Sequence, residues 1–329
     1  MLLLSVLAIL ASLMMFLLVP LNIRLSKKIA TNGQPILEYV DQHKYKSQTP
    51  SMGGLSVILV IIVVSNLPLL PGIHPYTLIL MLAILLFGCI GLFDDIQKMH
   101  KQKNQVLPAR VKLIIQVICA TVITGVMYHY LPSHFAGLMF FSHYMLPVPV
   151  WMYFIFSVIL IVASSNSYNL LDGLDGLVSV PSIMTAIFFV VVAYIRFNFP
   201  ALVLATTIVP TMIAFLWFNT KPAKIFLGDT GSLALGGLFG VLAVMLKSEI
   251  GFALVSIPAI LESISVIVQV YYFKYTKKRY GEGQRVFLMA PIHHHFEKKG
   301  LPEYNIVVRF WILATFALYF AMLWVSFTI

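Results

Sequence analysis

The chain is short of charge and almost without cysteine. Of its 329 residues only 10% are charged while 60% are hydrophobic, where a soluble domain carries about 25% charged and roughly 45–50% apolar residues. That shortage excludes a disordered chain, a coiled coil and a water-soluble core, because so much apolar surface cannot be hidden in one globule. It must face lipid. The two cysteines, Cys89 and Cys119, lie inside apolar runs and are expected as small core residues, so no disulfide framework is implied. Residues 1–22 lack the basic start and small-residue cleavage site of a signal peptide. They are long enough to span, and a retained membrane helix is expected there.

A span needs roughly 20 mostly apolar residues. Ten runs qualify, near 2–22, 53–70, 77–93, 112–130, 149–168, 178–196, 200–218, 231–247, 251–273 and 307–328. Ten spans put both termini on one side of the membrane. With this layout 20 of the 22 Lys and Arg fall on the other side, leaving only Arg196 and Lys247 with the termini. The positive-inside rule then makes the basic loops cytoplasmic and the termini external. The net charge of +10 is therefore a topology signal, and no basic domain stands apart to bind nucleic acid. The expected fold is an all-α, polytopic integral membrane protein in a single domain over residues 1–329. The longest connectors are 131–148 outside and 274–306 inside, the second expected to be a folded loop.

The acidic residues are fewer and more telling. Of twelve, only Glu249 falls on the external side, whereas Asp94, Asp95, Asp172, Asp175 and Asp229 all lie at or beside cytoplasmic ends of spans. Asp94-Asp95 at the end of the third span could simply mark where a helix meets water. Carboxylates at a helix C-terminus oppose the macrodipole, however, and adjacent aspartates suit a hard cation such as Mg²⁺. Asn166, Asn169, Asp172 and Asp175 recur every three positions, with Gly173 and Gly176 following the two aspartates. Residues so spaced share a helix face, and the glycines allow backbone to approach a ligand. Asn219 precedes Phe226-Leu227-Gly228-Asp229-Thr230-Gly231-Ser232, where helix capping and anion or metal–phosphate binding are both open.

Three adjacent histidines, His293, His294 and His295, lie in the 274–306 connector. Consecutive residues point about 100° apart on a helix, so this is not zinc spacing; imidazoles here suit hydrogen bonding to a polar substrate. Lys46, Lys98 and Lys112 are accounted for by topology, with Lys46 singled out by the Gly-rich Thr49–Gly54 segment that follows it. Glu262 sits inside the ninth span, where an ionisable residue is a functional candidate. Gly236 and Gly240 fit a small-xxx-small packing face. Together these residues describe an acidic, Mg²⁺-loaded cleft rimmed by lysines at the cytoplasmic face, suited to diphosphate chemistry with a lipid-soluble partner.

The segments Thr49–Gly54, Asp94–Lys98, Asn166–Gly176, Phe226–Ser232 and Pro291–Glu297 resemble the phospho-N-acetylmuramoyl-pentapeptide-transferase family. That family is part of the polyprenyl-phosphate N-acetylhexosamine-1-phosphate transferases. The resemblance implies transfer of phospho-MurNAc-pentapeptide from UDP-MurNAc-pentapeptide to undecaprenyl phosphate in the bacterial plasma membrane, giving lipid I and UMP. It implies Asp94 as acceptor of the lipid-phosphate proton, Asp95 beside it, and Asp229 as Mg²⁺ ligand, the three counted as catalytic. Lys46, Lys98 and Lys112 would contact phosphate, and His293, His294 and His295 the sugar side. Asp172, Gly173, Asp175, Asn219 and Phe226 would line the nucleoside pocket, with Asn169 and Ser232 completing the substrate-binding set. A homodimer is left open. The alternatives are a sister transferase with another UDP-N-acetylhexosamine donor and a secondary transporter. The transporter is disfavoured because no inverted repeat is evident and the acids gather at one face.

Overall fold

The computed structural model describes residues 2–29, 49–69, 74–101, 108–141 and 144–327. Among the described residues, eight helices are long and apolar enough to cross a membrane. They are α1 (Leu2–Ile29), α3 (Pro75–Lys101), α4 (Ala109–Tyr130), α5 (Val150–Leu171), α7 (Phe199–Asn219), α8 (Gly228–Met245), α10 (Ile257–Tyr280) and α12 (Glu303–Ser326). Two shorter apolar helices, α2 (Gly53–Asn66) and α6 (Ser179–Ile195), fill the second and sixth expected places. The short helices α9 (Glu249–Val255) and α11 (Ile292–Lys298) complete the set. Outward faces are apolar in stripes: Val6, Ile9, Leu13 and Leu17 on α1, Ile114, Ile118 and Val122 on α4, and Ile312, Phe316, Phe320 and Leu323 on α12. Exposed apolar area on this scale has lipid as its natural solvent.

The structure departs from the sequence reading in four places. The ninth span is two helices, α9 and α10, parted at Ser256. Pro258 opens the first turn of α10, where its missing N–H costs nothing, but it cannot continue a helix from α9. Residues 274–280, expected in the connector, extend α10, which stops at Gly281 with a left-handed φ of 82°. The third helix runs on past Asp94 and Asp95 to Lys101, its last turns carrying the basic residues that the macrodipole favours. The cysteines are not core residues: Cys89 is exposed and Cys119 half-exposed, because an apolar helix between lipid and protein has no polar face to turn outward. The 131–148 connector holds a 3-10 turn (Pro132–Ala136) and an antiparallel hairpin of β1 (Gly137–Phe141) and β2 (Tyr144–Pro147).

Helix α8 is the central post. Every residue from Thr230 to Met245 is buried, as expected of a helix that is apolar all round, and it packs chiefly against α3 and α5. Small residues allow this. A Cβ at Gly236 would lie 2.7 Å from the carbonyl oxygen of Ser164, and one at Gly240 would lie 2.8 Å from the Cα of Ile161, so the small-xxx-small face meets α5. Near its start, α8 touches α2 backbone to backbone: a Cβ at Gly54 would stand 2.1 Å from Gly231 N.

The far end of α8 is fastened differently. Lys247 is buried and donates to the carbonyl oxygens of His134 (2.6 Å) and Gly137. Its Nζ also lies 3.8 Å from the centre of the Tyr153 ring. Arg196 lies 2.6 Å from Met139 Sδ. The two basic residues that the charge count leaves apart from the rest thus hold the hairpin and its preceding turn to the bundle.

These contacts make glycine positions unequal. Gly54→Ala is expected to lower the thermal unfolding midpoint in detergent, by the equivalent of about 1–3 kcal/mol for an overpacked contact. Gly125→Ala, where a Cβ meets nothing within 4 Å, should leave the midpoint unchanged or raise it.

Candidate active site

Four helix ends meet at the Asp229 end of α8. The last turns of α3 bring Asp94, Asp95 and Lys98, the first turn of α4 brings Lys112, and the end of α5 brings Asn169. Lys98 Nζ is 3.0 Å from Asp94 Oδ2, the i,i+4 neighbour on its own helix, and 3.0 Å from Asp229 Oδ2. Lys112 Nζ reaches the same two carboxylates, at 3.3 Å from Asp94 Oδ2 and in closer contact with Asp229 Oδ2. Asn169 Nδ2 donates to Asp229 Oδ1 at 3.0 Å and to Ser232 Oγ at 3.0 Å. Asp94 and Asp229 thus face each other across two ammonium groups, in a spot shielded from water but not closed to it.

Asp95 does something else. Its carboxylate accepts from the backbone N–H groups of Asp229 (3.2 Å) and Thr230 (2.9 Å) and from the Thr230 hydroxyl (2.7 Å). It is an N-cap supplied by another helix: a carboxylate from α3 saturates the first free donors of α8 and meets the positive end of its dipole. Asp172, half-buried just beyond α5, is pushed well above the ordinary carboxylate range by burial and by nearby Asp229 and Asp95.

The polar row spaced by three divides. Asn166 Nδ2 donates to Gln116 Oε1 at 2.7 Å, Asn169 serves the aspartate cluster, and Asp175 turns away to accept from Ala223 N at 3.0 Å. Asn219 accepts from Gly176 N (3.1 Å) and Ser179 Oγ (3.2 Å) while donating to the carbonyl of Ile225 (2.9 Å). Asp175 and Asn219 therefore clamp the loop after α5 to the loop before α8. Phe226 ties that second loop to the Gly-rich segment: its N–H donates to Pro50 O and its carbonyl accepts from Gly53 N, each at 2.9 Å. Lys46 lies outside the described residues.

The three histidines point three ways, as consecutive helical residues must. His293 is buried, its ring pressed on Gly173 so that a Cβ there would lie 2.2 Å from Nε2. His294 Nδ1 is 2.7 Å from Glu297 Oε2. His295 Nδ1 accepts from Leu288 N at 3.0 Å. His293 thereby touches the loop beside the aspartates. Sequence reasoning placed Thr230 in a segment open to helix capping, and it left out Glu303. Glu303, wholly buried, accepts from Asp175 N at 3.0 Å and pairs with Lys221 at 2.8 Å. A glutamate opening an apolar span was the available signal.

Residues 77–247, which carry the whole aspartate–lysine cluster, match glycosyl transferase family 4. The chain belongs to that family. It is 40% identical over 304 residues to the phospho-N-acetylmuramoyl-pentapeptide-transferase of Wolbachia sp. subsp. Drosophila simulans (strain wRi), covering 91% of this chain and 92% of the relative. It is also 40% identical over 314 residues to the same-named protein of Rickettsia massiliae (strain Mtu5), covering 90% of this chain and 85% of the relative. The family match ends before the histidine helix, whereas the two relatives extend the likeness over nearly the full chain. The five motif segments resemble the family named by these relatives.

Within this family site, Asp94 and Asp95 are expected to differ when removed. Asp95→Ala leaves two backbone donors and a hydroxyl without their acceptor, which costs about 1–3 kcal/mol for a buried unsatisfied group. Asp94→Ala removes only a partner of two lysines that keep Asp229. Thermal unfolding in detergent should show a clear loss for Asp95→Ala and a small one for Asp94→Ala; equal losses would refute the capping role.

Proposed function

We propose that the chain transfers phospho-MurNAc-pentapeptide from UDP-MurNAc-pentapeptide to undecaprenyl phosphate, releasing UMP and forming lipid I. The observation that carries this reading is the shared hold of Lys98 and Lys112 on Asp94 and Asp229, within a chain 40% identical to transferases of that name. Two ammonium groups gathered by two carboxylates are a preorganised receptor for a diphosphate, since they can exchange carboxylate oxygens for phosphate oxygens without leaving the site. The positive-inside count supports a cytoplasmic position for this end of the bundle, where a nucleotide donor would be dissolved, while the lipid acceptor would arrive through the bilayer.

Mg²⁺ fits the site as a cofactor. Asp229 turns a carboxylate oxygen into the lysine-rimmed cleft at the start of α8, a hard-oxygen donor of the kind Mg²⁺ takes together with substrate phosphates. Bound there, the ion would neutralise charge on the diphosphate and on the departing UMP. The protein's own groups do the rest. Lys98 and Lys112 orient the donor, Asn169 holds Asp229 through Oδ1, and Asp95 keeps the start of α8 in place. Asp94, free of backbone duties, takes the lipid-phosphate proton, and an oxygen of the lipid phosphate attacks the β-phosphorus directly. A carboxylate nucleophile is disfavoured by the crowd of acids around it.

The deciding assay combines purified protein, undecaprenyl phosphate, Mg²⁺ and UDP-MurNAc-pentapeptide, and reads lipid-linked product and UMP. Asp229→Asn keeps the shape and removes the charge, so turnover should fall on the order of a hundredfold or more while folding survives. Preference for another UDP-N-acetylhexosamine would assign the chain to a sister transferase.

The role of Asp94 has its own signature. A phosphate monoester loses its second proton near pH 6, so a base matters more at pH 6 than at pH 9. Asp94→Asn should lose proportionally more activity at pH 6. An equally severe loss at both would make Asp94 a nucleophile or an essential ligand, and UMP release without lipid would favour the nucleophile.

A further inference from the structure

A second pair of ionisable groups lies next to the aspartate cluster and has no part in the chemistry above. Glu262, on the second turn of α10, and His293, on α11, are buried to 0% and 1% exposure. His293 Nδ1 stands 3.1 Å from Glu262 Oε2, and this is the one polar contact found for either side chain. Among the described residues, neither carboxylate oxygen of Glu262 and neither ring nitrogen of His293 is in hydrogen-bond geometry with any group, each other included, so the 3.1 Å approach is an ion-pair distance that a small turn of the ring would convert into a hydrogen bond. Two such groups are not packing filler: apolar residues of the same volume would be neutral or more stable there. The far edge of the ring, Nε2 and Cε1, rests on Gly173, where a Cβ would come within 2.2 and 2.4 Å. Gly173 follows Asp172, the half-buried aspartate just beyond α5.

We infer that Glu262 is a positioning residue for His293: its carboxylate, beside Nδ1, holds that N–H and so keeps the Nε2 edge of the ring seated against Gly173, on the loop that the donor's phospho-sugar would meet. The logic is that of a carboxylate orienting an imidazole so that one nitrogen is committed to the protein and the other to the substrate. Gly173 is part of the device, since any larger residue would displace the ring edge. His294 and His295 direct their Nδ1 atoms to Glu297 and to Leu288 N, whereas the Nε2 edge of His293 meets Gly173 of the loop after α5. The substrate half of this inference rests on the function proposed above.

The test uses the full-length protein in detergent. Glu262→Leu should keep or raise the unfolding midpoint, yet lower kcat about ten- to a hundredfold, the usual range for an orienting partner. Glu262→Gln, which retains an acceptor oxygen for Nδ1–H, should recover most of that loss. In a His293→Ala background Glu262→Leu should cost nothing more, because residues acting as a unit are not additive. Additive losses, or a loss in kcat that merely follows the midpoint, would overturn the inference. Independently of any substrate, ¹⁵N spectra of labelled histidine should show the His293 proton on Nδ1 in the native protein and its release to Nε2 in Glu262→Leu. An unchanged tautomer would overturn the pairing, whereas a native protein inactive with UDP-MurNAc-pentapeptide but with the expected spectra would instead overturn the functional reading.

Discussion

The rest of the site depends on one contact: the carboxylate of Asp95 on the first donors of α8. A helix that starts deep in a bundle exposes unsatisfied N–H groups where water is scarce, and leaving them bare would cost several kcal/mol. Here a carboxylate from α3 meets them, and in doing so fixes the height and rotation of α8 relative to α3. Asp229 is the second residue of α8, so its position against Asp94, Lys98 and Lys112 follows directly. The dipole of α8 also favours a negative charge at Asp95, which the dipole of α3 alone would disfavour.

Close backbone approach makes that contact geometrically possible. Asp229 can lie against α3 because Gly91 offers no side chain: a Cβ there would be 2.1 Å from the Asp229 carbonyl oxygen. Gly54 and Gly231 do the same between α2 and α8. Without a hydrophobic force between helices in lipid, such packing and a few buried hydrogen bonds are what holds the bundle. The aspartate–lysine end and the small-residue faces of α8 are thus parts of one requirement, a central helix approached closely from several sides.

The opposite end obeys a different constraint. Lys247 and Arg196 depart from the charge asymmetry that orients the chain, and each contacts the 132–141 segment, Lys247 from a buried position and Arg196 from an exposed one. Two such charges are few against the twenty on the other side. Lys247 in particular replaces its water shell with carbonyl oxygens and the Tyr153 ring.

The sequence by itself determined the class of fold, the approximate place of ten apolar helices and the neighbourhood of the aspartates. Hydropathy over a window of about 20 residues and the count of lysines are properties of the chain that no packing can reverse. It also marked the histidine run and Glu262 as places needing explanation. Only the tertiary structure decided which partner each of these found. Asp94 and Asp95 are adjacent and alike in sequence, yet one faces two lysines and the other caps a helix that begins more than a hundred residues later. The row Asn166, Asn169, Asp172, Asp175 has one spacing and several destinations, because α5 ends within it and its last members follow loop backbone. The break at Ser256, the extension of α10 to Tyr280 and the outward turn of Cys89 were hidden for a related reason. In lipid, apolar residues serve equally on either face of a helix, so their pattern cannot say which face meets protein; that is settled by the glycines, carboxylates and amides that must find partners inside.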